Sequence, residues 1–181
     1  MDAGISQPTA KSWISILEAS GLIALLQPYF ENFSKRLIKT PKLYWLDSGL
    51  LCRLLRIDDV EGLQVSPYKG AVFESFVVSE ALKAYLNAGK EPNVYFWRDK
   101  SGHEVDLLIA KGPEILPVEI KSSETISKEY FNNIEYLKSI AGSGRISGGA
   151  LVYAGNEGYS RSGNDVLPWR RAGNWLRERI R

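Results

Sequence analysis

The chain has 181 residues, 44% of them hydrophobic, which is enough for one medium domain with a true core and a small second one. A formal net charge of +2 provides no global basic field, and one cysteine (Cys52) with one histidine (His103) excludes an intrachain disulfide and a zinc site built from Cys and His. No apolar run approaches membrane length and no charged-then-apolar leader opens the chain, so a soluble cytoplasmic protein without a membrane partner is expected.

The first element is a helix over Pro8 to Ala19, capped at Ser6 and started by Pro8, with Ala10, Trp13, Ile14 and Leu17 as its apolar face. It stops at Gly21. A strand over Leu22 to Leu26 follows, then a turn at Pro28, the basic stretch Lys35 to Lys39, and a returning strand over Lys42 to Asp47. Helix, turn and hairpin in this order resemble the latter half of a winged helix, with the first helix in the recognition position. Lys11 on that helix, and Lys35, Arg36, Lys39 and Lys42 near the wing, are the expected nucleic-acid contacts, because they can neutralise phosphates. A winged helix carries one or two helices before its recognition helix and only Met1 to Ile5 precede this one, so the chain is expected to begin inside something larger. Residues 1–58 form this first unit, residues 59–181 the second, and Asp59 to Lys69 is read as the linker.

The second unit opens with a helix over Gly70 to Asn87, on which Glu74 falls in an apolar stripe made by Ala71, Val77, Val78, Ala81 and Tyr85. A carboxylate buried there needs a cation, a lysine or hydrogen bonds. A strand over Val94 to Arg98 comes next. Two alternating runs, His103 to Ala110 and Ile115 to Lys121, then flank the turn Lys111-Gly112-Pro113-Glu114, whose proline suggests a loop wider than two residues. Symmetric closure sets Asp106 opposite Glu119 and Glu104 opposite Lys121 on one face, and Val105, Leu107, Ile109, Val118 and Ile120 on the other. Two facing carboxylates repel unless they share a cation or a proton. Oxygen ligands suit Mg²⁺ or Mn²⁺, and Lys121 is placed to hold a water or to steady a phosphate's growing charge. His103, at the mouth of the hairpin, reads as a surface residue. A helix from about Ser127, a strand over Ala150 to Tyr153, a turn-rich loop over Gly155 to Asn164 and an arginine-rich helix from about Trp169, packing through Trp169, Trp175 and Leu176, complete the chain. The segment Gly142-Ser143-Gly144-Arg145 lacks the lysine of a phosphate-binding loop, so the chain is not expected to be an ATPase.

This order of elements resembles the PD-(D/E)XK nuclease core. Gly70-Ala71-Val72-Phe73-Glu74, Tyr95-Phe96-Trp97-Arg98-Asp99, Glu104-Val105-Asp106 and Pro117-Val118-Glu119-Ile120-Lys121-Ser122 are similar to the C-terminal domain of a large family of prokaryotic AAA+ ATPases. The resemblance covers nearly the whole chain. It implies an α/β (α+β) fold of the restriction-endonuclease type, with a mixed sheet flanked by helices and preceded by a partial winged helix, and it implies DNA and an AAA+ ATPase domain as partners. The expected activity is metal-dependent DNA processing. Asp106, Glu119 and the Ile120 carbonyl bind Mg²⁺ or Mn²⁺, Glu74 contributes through metal or water, and Lys121 orients the attacking water. The alternative is an inactive nuclease fold that binds DNA or docks a partner.

Overall fold

The computed structural model describes residues 4–30, 39–142 and 144–180. Its first helix, α1 (Gln7–Ala19), starts at Ser6, whose hydroxyl accepts from the Thr9 amide, and leads through Gly21 into β1 (Ile23–Leu26). β1 pairs antiparallel with β2 (Lys42–Trp45) in a two-stranded sheet. The expected apolar face of α1 is not buried. Ala10, Ile14 and Leu17 are half-buried, whereas Trp13 is 55% exposed, because this short helix packs mainly on β1. Two short helices follow, α2 (Ser48–Leu54), capped by Asp47, and α3 (Val60–Val65), capped by Asp59. The expected linker is therefore partly helical: the Asp59 carboxylate accepts from the Gly62 amide and starts a helix that composition alone did not signal.

α4 (Lys69–Asn87) is the central helix, and it lies on a six-stranded mixed sheet of order β3-β4-β5-β6-β8-β7. The strands are β3 (Val94–Arg98), β4 (Glu104–Lys111), β5 (Glu114–Lys121), β6 (Gly149–Tyr153), β7 (Tyr159–Arg161) and β8 (Asn164–Pro168). β3, β4 and β5 form an antiparallel meander, and β5, β6 and β8 run parallel, as an α/β crossover requires. Gly155 to Asn164, read as a loop, supplies β7 and the start of β8 instead. α5 (Asn132–Ala141), reached through a 3₁₀ turn (Lys128–Phe131) capped by Ser127, makes the β5-to-β6 crossover, and α6 (Trp169–Ile180) ends the fold.

Two layers of helix enclose the sheet. On one face, Val77, Val78 and Ala81 of α4 and Trp175, Leu176 and Ile180 of α6 pack on Leu107, Ile109, Val118, Ile120 and Val152. On the other, Leu137 and Ala141 of α5 meet Trp97, Val105, Leu108 and Ile115, while Ile134 meets Leu151 and Val166. Each fully buried aliphatic side chain here contributes about 1.5–3 kcal/mol. Buried Asn164 fastens α5 to β8 by hydrogen bonds with Lys138 and Glu135. The small sheet joins the same body: Tyr44 and Leu26 enter the α4 layer, and beyond β1 the Tyr29 amide donates to the Phe96 carbonyl at 2.7 Å, covering part of the outer edge of β3.

The hairpin of β4 and β5 has the expected register from Leu107 opposite Val118 to Lys111 opposite Glu114, but the ladder ends at Leu107 and Val118, so the expected pairs Asp106–Glu119 and Glu104–Lys121 are not part of it. Its turn is tighter than expected. Gly112, at φ 59°, takes the left-handed conformation that lets Pro113 follow in a two-residue connection. Pro117 is tolerated inside β5 because the ladder to β6 begins only at Val118. One expectation about faces fails. Pairing between β3 and β4 shifts by one residue between Tyr95 opposite Leu108 and Trp97 opposite Val105, which is a β-bulge. Val105 consequently packs with the α5 layer, while Leu107, Ile109, Val118 and Ile120 of the expected face join the α4 layer.

Candidate functional site

Both halves of the site lie where the meander opens. The ladder of β4 with β5 stops at Leu107 and Val118, and beyond it the Asp106 carboxylate takes over from the backbone: Oδ2 accepts from the Ile120 amide at 2.8 Å. Ile120 thus meets Asp106 through its amide. On the α4 side of this opening, Glu74, Glu104 and Asp106 each offer a carboxylate oxygen within 4.8 Å of the others. Glu104 is at the start of β4, two residues from Asp106, and Glu74 comes from the second turn of α4. Glu119 stands apart from this trio. It is 1% exposed, and Lys121 links it to Asp106, with Nζ 2.7 Å from Glu119 Oε2 and 3.4 Å from Asp106 Oδ2.

The cations around the trio come from outside the hairpin. Lys42 donates to Glu74 Oε1 at 3.0 Å and pairs with Glu104 Oε1, while Arg98 Nε lies 3.2 Å from Glu104 Oε2. The Tyr44 hydroxyl makes a short hydrogen bond to the same Oε1 of Glu74. Glu74 is therefore not an isolated acid in an apolar stripe: its side chain is 25% exposed, with two partners supplied by alternate residues of β2. Ala71 of the expected stripe is exposed, and Val72 is buried in its place.

Electrostatics follow from burial and proximity. Burial raises the pKa of Asp106, and Glu74 adds to the rise, against the opposing pull of Lys121 and the Ile120 amide. Burial and the Asp106 charge push Glu119 up to about 7, against Lys121. A hydrogen bond from the Asn133 side chain also pulls it down, as the last of these influences. Burial alone would lower the pKa of Lys42 and of Lys121, but the facing carboxylates outweigh it and hold both ammonium groups charged. Tyr44 is pushed well above the ordinary phenol by burial and by Glu74, so it acts as a donor.

Of the residues expected at the site, Glu74, Asp106, Glu119 and Lys121 come to one region, divided into an acidic trio and a lysine-bridged pair. Glu104 and Tyr44 were missed. The signal for Glu104 was its two-residue spacing from Asp106, and for Tyr44 its two-residue spacing from Lys42. Lys42, grouped in the sequence with the phosphate contacts, points into the trio. Lys11 and Lys39 are exposed, while Lys35 and Arg36 lie outside the described residues. His103 is partly exposed but not loose: its ring stacks on Tyr136 with centroids 3.8 Å apart, beside buried Asp99, which accepts from the His103 amide. Asp99 closes the turn from β3 to β4.

Residues 69–172, which contain α4, the meander, the crossover and the parallel strands, match the family described as "Domain of unknown function (DUF4143)". The chain belongs to the DUF4143 family. The DUF4143 region holds all four acids and Lys121. Residues 1–61, which hold Lys42 and Tyr44, match a second family, "Domain of unknown function (DUF8612)". Two uncharacterised mycobacterial proteins, from Mycobacterium bovis and Mycobacterium tuberculosis, are each 38% identical to this chain over 124 residues, covering 68% of it. The match spans only 27% of the length of those relatives. Among the described residues, no helix is long and apolar enough to cross a membrane.

Proposed function

We propose that this chain is a metal-dependent, nuclease-like module of the PD-(D/E)XK kind that acts on DNA as a phosphodiesterase. The observation that carries the reading is the convergence of Glu74, Glu104 and Asp106 within 4.8 Å, beside the Glu119–Lys121 pair. Three carboxylates and no sulfur or imidazole make a hard donor set suited to Mg²⁺ or Mn²⁺. The residues therefore fit such an ion. Glu74, Glu104 and Asp106 would hold it, with Glu119 nearby. A bound ion would supply Lewis-acid stabilisation of a phosphoryl oxygen.

The protein's own groups have separable tasks. Lys121, held between Asp106 and Glu119, is positioned to orient a water and to face the negative charge that grows on phosphorus-bound oxygens. Asp106, fixed by the Ile120 amide, sets the spacing between the trio and that lysine. Glu119, pushed up to about 7, is poised to exchange a proton near neutral pH. Exposed Lys11 and Lys39 are suited to DNA phosphates, and this reading gives the same role to Lys35 and Arg36, which lie outside the described residues. An AAA+ ATPase domain is the partner this reading supplies for the chain.

One observation favours a second reading. Lys42 and Lys121 already neutralise much of the acidic charge, so the arrangement is complete without an ion, as an inactive DNA-binding or partner-docking accessory would require. Incubation of the purified protein with single-stranded, duplex and branched DNA in Mg²⁺ and in Mn²⁺ separates the two. Nicking that disappears in Asp106→Asn supports the nuclease reading; binding without nicking in any of these conditions supports the accessory.

A further inference from the structure

The least expected side chain in the site is Lys42. It comes from the small hairpin, 32 residues before Glu74, and its ammonium contacts one oxygen of Glu74 and one of Glu104, two of the three acids that would hold a divalent ion. We propose that Lys42 is a built-in counter-cation that guards this cluster: it occupies the place between Glu74 and Glu104, and a divalent ion enters only as Lys42 leaves. The inference rests on the metal reading above and adds to it a device that governs loading of the site.

Three features support displacement rather than coexistence. An ammonium and a divalent ion on the same two carboxylates repel each other across a few ångströms in a partly dry site, where screening is weak. The backbone of β2 is also anchored. Tyr44, on the same face, is 4% exposed and holds Glu74 by its hydroxyl, so removal of the ammonium does not require the hairpin to move. Finally, the Lys42 side chain is 25% exposed, and its flexible four-carbon stem gives it a route from the acids to solvent.

Lys121 is not an equivalent guard. It leans toward Glu119, at 2.7 Å against 3.4 Å for Asp106, and Glu119 is outside the trio. Arg98 pairs with the other oxygen of Glu104 from a half-exposed position and can remain there when an ion is bound. Lys42 alone of these three cations bridges two members of the trio.

The test is Mn²⁺ binding by the full chain, measured by calorimetry and by electron paramagnetic resonance, for the wild type and Lys42→Gln. The variant is expected to bind Mn²⁺ at least tenfold more tightly, because the ion no longer competes with an ammonium. Equal or weaker binding by a folded variant overturns the guard while leaving the metal reading in place. Absence of binding to both proteins overturns the metal reading and this inference with it. If Lys42→Gln does not fold, the wild type labelled with ¹⁵N-lysine decides: the Lys42 ammonium resonance should move as Mg²⁺ saturates the protein, and a resonance that stays at its ion-free position overturns the proposal.

Discussion

Glu119→Gln should stabilise the protein at alkaline pH and leave it unchanged in acid. In the folded chain burial and the neighbouring Asp106 charge push Glu119 up to about 7, whereas an unfolded glutamate titrates near 4.5. Below the unfolded value both states carry the proton and the group is neutral to the balance. Between the two values the folded state binds more protons, so stability falls as pH rises through this window, and above it the penalty is fully present. At about 1.4 kcal/mol for each tenfold in the proton equilibrium, the penalty is about 3 kcal/mol, or about 6–12 °C in melting temperature for a chain of this size. Glutamine resembles the protonated acid and escapes this cost. Urea melts followed by tryptophan fluorescence, at pH 4 and pH 8.5 without divalent ions, measure the effect. Wild type and variant that lose stability in parallel across this range would refute the assignment of the burden to Glu119.

We predict that Mn²⁺ or Mg²⁺ raises the melting temperature of the wild type and that Asp106→Asn removes most of that shift, which a thermal scan against ion concentration checks. Lys121→Ala is expected to abolish DNA nicking while leaving DNA affinity within about threefold, because its charge acts on the transition state more than on the bound state; parallel nicking and anisotropy assays measure the two. Gly149→Ala should destabilise by about 1–3 kcal/mol, since its new Cβ would lie 2.8 Å from Ile134 Cγ2 and 2.9 Å from Asn164 Oδ1 in the packed crossover; denaturant midpoints measure it. Neutralising Lys11 and Lys39 together should flatten the salt dependence of DNA binding by about two in slope, as read from binding isotherms over a range of salt.

Local patterns in the sequence carried much of the fold. The long periodicity of α4 and the alternation of β4 and β5 led to the correct elements, and the hairpin register followed from its turn. What was illegible is non-local. The bulge opposite Phe96 separates Val105 from Leu107 without altering any residue's type, so alternation could not reveal it. β7 and β8 have only three and five residues; β8 forms because β6 offers an edge to pair with, and β7 then pairs with β8. In the site, Asp106, Glu119 and Lys121 were legible because they share one hairpin. The contacts of Glu74 with Lys42 and Tyr44 depend on how a distant hairpin docks, and periodicity within α4 could indicate only that Glu74 needed partners.

The hairpin's hold on Glu74 bears on how this protein can be dissected. A cut at the sequence-read boundary near residue 58, or at the family's edge at residue 69, would retain every acid yet remove Lys42 and Tyr44. Glu74 would lose both of its partners, and Glu104 would keep only Arg98. Such a fragment would differ electrically from the whole chain at the one place where its chemistry is sought, so its affinity for cations would describe the fragment alone. Sequence families divide this protein between residues 61 and 69, but its ionic network runs across that seam.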